Sequence, residues 1–261
     1  MAEKLAIVTG ASTGIGFELA SLAAKDGYDL IVVADEPLIN AAARDFEQFG
    51  TRVQAVEADL STFDGVDTLL EAAGGRQIDV LCANAGTGTG GAFLDIEPAR
   101  WRHAIDTNIT GTMYLLQKVL KQMVARGQGK VLVTGSIAGF IPGTFNAVYD
   151  GTKAFIDNVL PAIQNELKDV KGVTITNLMP GPTDTEFFAR ADMLDTNVGQ
   201  SESKADPAKP AKDGWEAMMA GKPSIVSGWM NKLQVAVAGV VPMAVTAQLH
   251  RGLAKPKGSG D

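Results

Sequence analysis

The stretch Leu5-Ala-Ile-Val-Thr-Gly10-Ala-Ser-Thr-Gly14-Ile-Gly16 decides the fold. Its first five residues are an uncharged, mostly apolar run of the kind that forms a buried strand. The three glycines that follow permit a tight turn and a close approach of the backbone to a ligand. Phe17 to Ala24 has the pattern of an amphipathic helix, whose first amides can hold a pyrophosphate group. This context favours a binding turn over a plain strand-to-helix connection.

The alternation of apolar runs and helix-like segments continues to about residue 180. The later runs are Leu30–Ala34, Val53–Glu57, Ile78–Ala83, Lys130–Thr134 and Val173–Leu178. Continuous apolar strands separated by helices predict a parallel sheet that is covered on both faces. Right-handed crossovers make such a sheet doubly wound and Rossmann-like, with ligands at the carboxyl ends of the strands. We therefore predict an α/β fold in which residues 1–255 form a single domain.

The pattern weakens after Pro180. Residues 183–220 are predicted to form a substrate lid, within which the polar segment Asn197–Lys212 is a mobile connection and Trp215–Ala220 a short helix. Ser224–Val226 follows as a last strand. Residues 229–253 are predicted to form an apolar helical extension that is bent at Pro242. Three interpretations of this extension are open: it packs on its own domain, it forms an oligomer interface, or it contacts a membrane surface. The end of the chain, from Ala254 and in particular 256–261, is predicted to be a disordered tail.

Composition excludes several classes of function. The 261 residues carry a net charge of -7, which argues against a broad nucleic-acid footprint. A single cysteine, Cys82, excludes an intramolecular disulfide and a cysteine zinc cluster, and two distant histidines suggest no metal site. No apolar stretch is long enough to span a membrane, and membrane contact is not expected. We expect a soluble, cytoplasmic protein.

Asp35 stands at the end of the second predicted strand, about 20 residues beyond the glycine turn. A carboxylate there can accept hydrogen bonds from an adenosine ribose, whereas a ribose 2′-phosphate would meet like charge. Neither Thr13 nor any residue from Asp35 to Asn40 is basic. The pattern favours NAD over NADP, the alternative being that Asp35 only caps its loop.

Several motifs, in order, make the chain similar to the short-chain dehydrogenase/reductase family over residues 4–190. They are the glycine turn, Asp59-Leu60, Asn84-Ala85-Gly86, Asn108, Ser136, Tyr149 with Lys153, and Pro180-Gly181 followed by Thr183 and Thr185. The resemblance implies that Asn108, Ser136, Tyr149 and Lys153 are catalytic. It implies a coenzyme site made of Gly10, Ser12, Thr13, Gly14, Ile15, Gly16, Asp35, Asp59, Leu60, Asn84, Ala85, Gly86, Tyr149, Lys153, Pro180, Gly181, Thr183 and Thr185.

Tyr149 and Lys153 also support this chemistry by their spacing. Residues four apart share one face of a helix, so the ammonium is expected to lower the tyrosine pKa toward a useful acid/base range. Ser136 follows a strand and could bond a substrate oxygen, although a serine in such a turn often only caps the backbone. The family places small residues where this chain has Asp150-Gly151-Thr152, and Gly151 weakens the helix by roughly 1 kcal/mol relative to alanine.

The implied reaction is reversible hydride transfer between NAD(H) and a ketone or secondary alcohol, without a metal. Tyr149 would exchange the proton, Ser136 would orient the substrate oxygen, and Asn108 would hold a water that feeds protons to Lys153. Three segments are the expected pocket walls: Thr87–Phe93, Ile137–Asn146 and Thr183–Met193, with Phe93, Phe140, Phe145, Phe187 and Phe188. They favour a small or medium apolar ketone or secondary alcohol as the substrate, with a sugar-derived carbonyl compound as the alternative. Arg190 is the one residue there that could bind a substrate carboxylate.

Two other functions fit the same fold: a catalytically silent nucleotide sensor, and a sugar-nucleotide epimerase or dehydratase. The first predicts a broken Tyr/Lys pair, and the second predicts a larger C-terminal domain than the roughly 80 residues after Pro180. The resemblance further implies a homodimer or homotetramer, with contacts through Asn108–Val124 and Tyr149–Lys168.

Overall fold

The computed structural model describes residues 4–257 and confirms a doubly wound α/β fold. Seven parallel strands lie in the order β3-β2-β1-β4-β5-β6-β7. Their bounds are β1 Leu5–Thr9, β2 Asp29–Ala34, β3 Val53–Glu57, β4 Val80–Ala83, β5 Gly129–Thr134, β6 Val173–Met179 and β7 Ser224–Val226. Each predicted strand is present, with ends that differ by two residues at most.

Helices cover both faces of the sheet. They are α1 Gly14–Lys25, α2 Ile39–Glu47, α3 Phe63–Glu71, α4 Pro98–Ile105, α5 Thr112–Arg126, α6 Ala147–Glu166, α7 Phe187–Arg190, α8 Ala208–Met219, α9 Trp229–Ala238 and α10 Met243–Ala254. A π-helical turn, Asp106–Gly111, joins α4 to α5, and short 3₁₀ turns occupy Phe93–Asp95 and Ile137–Phe140. Such π turns occur often at functional sites.

The apolar strands bury both of their faces. In β1, Leu5 and Ile7 pack in one core cluster, with α3, α5 and α6, whereas Ala6 and Val8 pack in the other, with α1, α2 and α8. Side chains alternate between the faces of a strand, so every residue of β1 has an apolar neighbour. A strand of this kind is therefore uniformly apolar and does not alternate with polar residues.

The order in which the strands are added to the sheet reverses between β1 and β4. From β1 it proceeds outward to β2 and β3, and β4 then pairs on the other side of β1. Loops after β1 and β4 consequently diverge and leave a crevice at the carboxyl edge. This crevice is where the sequence predicted a ligand site.

The lid segment is more ordered than predicted. Where a mobile connection was expected over Asn197–Lys212, α8 already begins at Ala208, earlier than the predicted start at Trp215. Pro210 lies in the first helical turn, where its missing N–H costs no hydrogen bond. Trp215 is buried and its Nε1–H donates to the carboxylate of Asp26 at 2.8 Å. The prediction failed because tertiary contacts, which leave no periodic pattern, hold this segment.

The C-terminal extension forms two helices that separate at Pro242, as predicted. α9 has no buried residue, and Trp229 is 73% exposed, so packing on its own domain does not account for this helix. Ala254, expected in the tail, is instead buried at the end of α10, and the Lys257 N–H donates to the Asp195 carbonyl at 3.1 Å. The remainder of the predicted tail, 258–261, lies outside the described residues. Within residues 4–257, no helix has the length and apolarity needed to cross a bilayer.

Candidate active site

One cavity of about 380 Å³ lies at the carboxyl edge of β1, β4 and β5. It brings together all but two of the predicted site residues: Gly10, Ser12, Thr13, Gly14, Ile15, Asp35, Asp59, Leu60, Asn84, Ala85, Gly86, Ser136, Tyr149, Lys153, Pro180, Gly181, Thr183 and Thr185. Gly16 and Asn108 are not part of its wall. The cavity therefore runs without interruption from the glycine turn to the Tyr149–Lys153 pair.

The glycine turn requires its glycines for identifiable reasons. Gly10 and Gly14 have φ of 63° and 61°, a left-handed conformation that side chains disfavour. A Cβ at Gly16 would lie 2.0 Å from the Gly10 carbonyl oxygen, so Gly16 permits the packing of α1 against the turn and lies away from the ligand. The turn thus presents bare backbone at the start of α1, as a pyrophosphate site needs.

Asn84 fastens the strand ends around this turn. Its Nδ2 donates to the Thr9 carbonyl at 3.2 Å, and its Oδ1 accepts from the Thr134 hydroxyl at 2.9 Å. Thr9 in turn accepts the backbone N–H groups of Asn84 and Ala85 through its hydroxyl oxygen, both at 2.9 Å. These bonds fix the ends of β1, β4 and β5 relative to one another, so Asn84 shapes the cavity.

Tyr149 and Lys153 lie one turn apart near the start of α6. The Lys153 Nζ is 5.7 Å from the centroid of the tyrosine ring and donates to the Thr134 carbonyl at 2.7 Å. Ser136 lies near the Tyr149 hydroxyl, whose pKa it lowers, and its Oγ accepts the Ala138 N–H at 3.1 Å. Ser136 therefore both caps its turn and contacts the tyrosine. Phe187 of the lid packs on the tyrosine ring, with centroids 4.9 Å apart.

Burial dominates the ionisation of this cluster. It raises the pKa of Tyr149 above its ordinary value, against the opposing effect of the Ser136 hydrogen bond. It also lowers the pKa of Lys153 to about 8, although the nearby Asp157 acts in the other direction. The expected fall in the tyrosine pKa is thus not found, because desolvation of the phenolate is the largest effect and the nearby Asp150 and Asp157 carboxyls also raise the pKa. The tyrosine holds a proton at neutral pH.

Asn108 lies behind the cavity wall, on the π turn. Its Oδ1 accepts the Thr87 N–H at 2.9 Å, and its Nδ2 donates to the Thr87 carbonyl and to the Thr152 hydroxyl, each at 2.9 Å. The predicted catalytic asparagine thus clamps the loop after β4 to α6. Gly86 comes between this side chain and the cavity, since a Cβ there would be 3.2 Å from the Asn108 Oδ1.

Residues of the 183–220 segment lie against the glycine-turn end of the cavity. Thr185 lies against the glycine turn, because a Cβ at Gly14 would be 2.8 Å from its Cγ2. Arg190 donates to the Glu36 carboxylate at 2.6 Å, and the same oxygen accepts from the Ser12 hydroxyl at 2.6 Å. Arg190, considered from the sequence as a partner for a substrate carboxylate, is therefore placed beside the residues that follow β2.

The aromatic walls differ from the expected set. Phe187 and Phe188 line the cavity, whereas Phe93 and Phe140 are 58% and 40% exposed and Phe145 lies outside its wall. Gln234, His250 and Leu253 of the C-terminal helices contribute instead. These helices were not predicted to reach the site, because a separation of about 100 residues leaves no local pattern.

Asp150 is the cavity residue whose role the sequence did not reveal. It is 2% exposed, and its Oδ1 accepts from the Asn146 side chain at 3.1 Å. Its Oδ2 lies 3.7 Å from the Nε2 of His250, too far for a hydrogen bond. Burial raises the Asp150 pKa to about 8, and lowers the His250 pKa. The sequence signal that could have indicated this role is an acidic residue directly after Tyr149, where the family has small residues.

The Asp150 pKa gives a prediction for stability. An ordinary aspartate titrates near 3.8, so folding makes this carboxyl bind a proton and stability is lost as pH rises from about 4 to about 8. Asp150→Asn cannot ionise. We expect its melting temperature to exceed that of the unmodified protein by about 3 °C or more at pH 8.5. Near pH 4 the two should be similar, as followed by circular dichroism.

Asp45→Asn, at an exposed carboxyl of α2, is the matched control and should show no such trend. A melting difference for Asp150→Asn that is the same at both pH values would contradict the raised pKa.

Comparison with known proteins identifies the family. The sequence profile described as short chain dehydrogenase matches residues 4–195. The chain belongs to the short-chain dehydrogenase family. An uncharacterised oxidoreductase of Staphylococcus epidermidis is 31% identical over 207 residues, which cover 78% of this chain and 88% of that protein. The present short-chain dehydrogenase is accordingly an oxidoreductase.

Solved structures confirm the fold of this short-chain dehydrogenase. A short-chain dehydrogenase from Sphingobium yanoikuyae in complex with NADPH superposes with a TM-score of 0.80 at 23% identity, covering 92% of this chain and 97% of that one. A short-chain dehydrogenase/reductase from Burkholderia phymatum in complex with NAD gives 0.82 at 20% identity, covering 90% and 92%. The two proteins hold different coenzymes, so this likeness leaves the choice between NAD and NADP open.

Proposed function

We propose that this short-chain dehydrogenase catalyses reversible hydride transfer between NAD(H) and a ketone or secondary alcohol. The observation that carries the proposal is a half-buried tyrosine, with Ser136 and Lys153 beside it, in the same cavity as the glycine turn. A silent sensor would not need this acid in its binding cavity.

The residues fit a dinucleotide. Gly10 and Gly14 present bare left-handed backbone to the cavity at the start of α1, and Asp35 lines the same cavity. Such a turn accepts a pyrophosphate, and a carboxylate at the end of β2 accepts ribose hydroxyls. Asp59 and Leu60 would hold the adenine end, and Pro180, Gly181, Thr183 and Thr185 the nicotinamide end. Lys153 would hold the second ribose.

The chain's own residues supply the proton that the substrate oxygen receives. The bound coenzyme supplies or accepts the hydride. In the direction of ketone reduction, the Tyr149 hydroxyl, which is protonated at neutral pH, donates its proton to the substrate oxygen. Ser136 orients that oxygen through its hydroxyl. Phe187 packs on the tyrosine and shields the reacting centre from water.

The direct test is turnover. The purified protein, mixed with NADH and a panel of ketones, should consume NADH as measured by absorbance, and NAD⁺ with the matching alcohols should regenerate it. Absence of turnover across apolar, cyclic and sugar-derived carbonyls would overturn the proposal.

We also propose that the protein is cytoplasmic and assembles as a homodimer or homotetramer. Exposed apolar side chains on α6 and α9, among them Phe155 at 41% and Trp229 at 73%, support assembly. Light scattering coupled to size exclusion should give a mass of two or four times 27.3 kDa. A monomer at micromolar concentration would contradict the assembly.

A further inference from the structure

We propose that Asn146, Asp150 and His250 form a polar subsite that binds a second hydroxyl group of the substrate. The inference rests on the proposed ketone reduction and specifies its substrate class as hydroxyketones and the corresponding diols. All three residues line the cavity that holds Tyr149, and Asp150 follows it directly on α6.

Buried acceptor atoms distinguish this corner of the cavity. Within residues 4–257, the Asn146 Oδ1 and the Asp150 Oδ2 are buried side-chain oxygens without a hydrogen-bond partner. Asn146 and Asp150 are 5% and 2% exposed. Leaving such atoms unpaired is costly, so a ligand that hydrogen-bonds them gains affinity.

His250 adds a third polar atom. Its Nδ1 lies 2.9 Å from the Thr144 carbonyl oxygen, which can only accept, so Nδ1 carries the hydrogen. In the neutral imidazole the Nε2 is then an acceptor, 3.7 Å from the Asp150 Oδ2. A single oxygen atom beside this pair, off the line that joins the two atoms, could bond to both.

The surrounding chain holds these groups in place. The Thr144 hydroxyl donates to the Ala247 carbonyl at 2.9 Å, which gives a second hydrogen bond between the loop and α10. Arg251 lies 5.1 Å from the centroid of the Phe145 ring. Gly143 packs against the Asp150 carboxyl, since a Cβ there would be 2.3 Å from Oδ2. These contacts join the loop before α6 to α10 around the subsite.

A hydroxyl group suits this subsite better than an ammonium. A hydroxyl both donates and accepts, so it fits whichever of Asp150 and His250 holds a proton. An ammonium only donates and needs an ionised carboxylate, whereas burial raises the Asp150 pKa. An apolar substrate would leave the acceptor atoms unpaired.

The test compares cyclohexanone with the three positional isomers of hydroxycyclohexanone, with NADH as coenzyme. We expect at least one isomer to have a kcat/KM about tenfold or more above that of cyclohexanone, mostly through KM, because the hydroxyl adds a hydrogen bond away from the reacting carbon. The ring fixes the distance between carbonyl and hydroxyl, so the preferred isomer reports the position of the subsite.

Variants assign the preference to these residues. His250→Phe and Asp150→Ala should remove most of the tenfold preference, measured in each variant as the ratio of kcat/KM for the preferred hydroxy isomer to that for cyclohexanone. Asp150→Asn, which keeps the shape and can still donate and accept, should retain part of the preference. Gln248→Ala, an exposed residue of α10, should retain all of it.

The outcomes separate this proposal from the proposed function. If cyclohexanone is reduced and no hydroxy isomer is preferred, water satisfies the acceptor atoms, and the subsite alone is overturned. A preference that survives in both His250→Phe and Asp150→Ala also overturns it, and if either variant fails to fold the other decides. If none of these compounds is turned over, the proposed function fails for cyclic ketones, and this inference fails with it.

Discussion

Tyr149→Phe is expected to lower kcat for ketone reduction by about 10² to 10⁴-fold, the usual loss when a positioned general acid is removed. The substitution deletes one oxygen atom, which lies near Ser136 in the cavity. The ring and its packing on Phe187 remain. NADH binding, followed by the fluorescence of the reduced coenzyme, should therefore change little while steady-state turnover collapses.

Tyr114→Phe is the matched control. Its hydroxyl donates to the Asp67 carboxylate at 3.1 Å on α3, and Tyr114 is not part of the cavity wall. It should retain full activity, within about twofold. Turnover by Tyr149→Phe within about fivefold of the unmodified enzyme would refute the acid/base assignment.

A preference for NADH over NADPH of at least about tenfold in kcat/KM is the second large effect. Asp35 and Glu36 place two carboxylates after β2, where a ribose 2′-phosphate would bring further negative charge. Juxtaposed like charges cost several kcal/mol, and about 1.4 kcal/mol corresponds to a factor of ten. Arg190 opposes this effect, but its guanidinium is already paired with Glu36.

Two substitutions should narrow that preference by different routes. Asp35→Ala removes a carboxylate from the rim and weakens ribose binding by NADH. Glu36→Gln leaves the Ser12 contact possible but releases Arg190, which becomes available to a phosphate. Each should improve kcat/KM for NADPH about tenfold, whereas Glu47→Gln, an exposed residue of α2, should not. Equal efficiency with both coenzymes in the unmodified enzyme would contradict the proposed NAD preference.

The pKa of Tyr149 is the property of the site that differs most from the sequence-based prediction. Spacing placed Tyr149 and Lys153 on one face of α6, and the structure confirms this arrangement. The spacing gives no information on burial, and burial decides whether the tyrosine pKa is raised or lowered. Gly151, expected to weaken the helix, is exposed within α6, which begins before Tyr149 at Ala147.

The sequence alone determined the elements whose signals are local. An uncharged strand next to a glycine turn, and two side chains four residues apart, are encoded within about a dozen positions, because backbone geometry and helical periodicity act at short range. These patterns sufficed for the parallel sheet and the edge where the cavity lies, whereas most of the lining residues were predicted from the resemblance to the family.

Only the tertiary structure decided which distant side chains meet there. Arg190 reaches Glu36 from 154 positions away, and His250 approaches Asp150 from a separate C-terminal helix. Neither pair follows a period or a motif, because packing of the lid and of α10 onto the sheet creates both contacts. Asn108 likewise acquired its place behind the wall from the π turn and from Thr87, which folding brings to it.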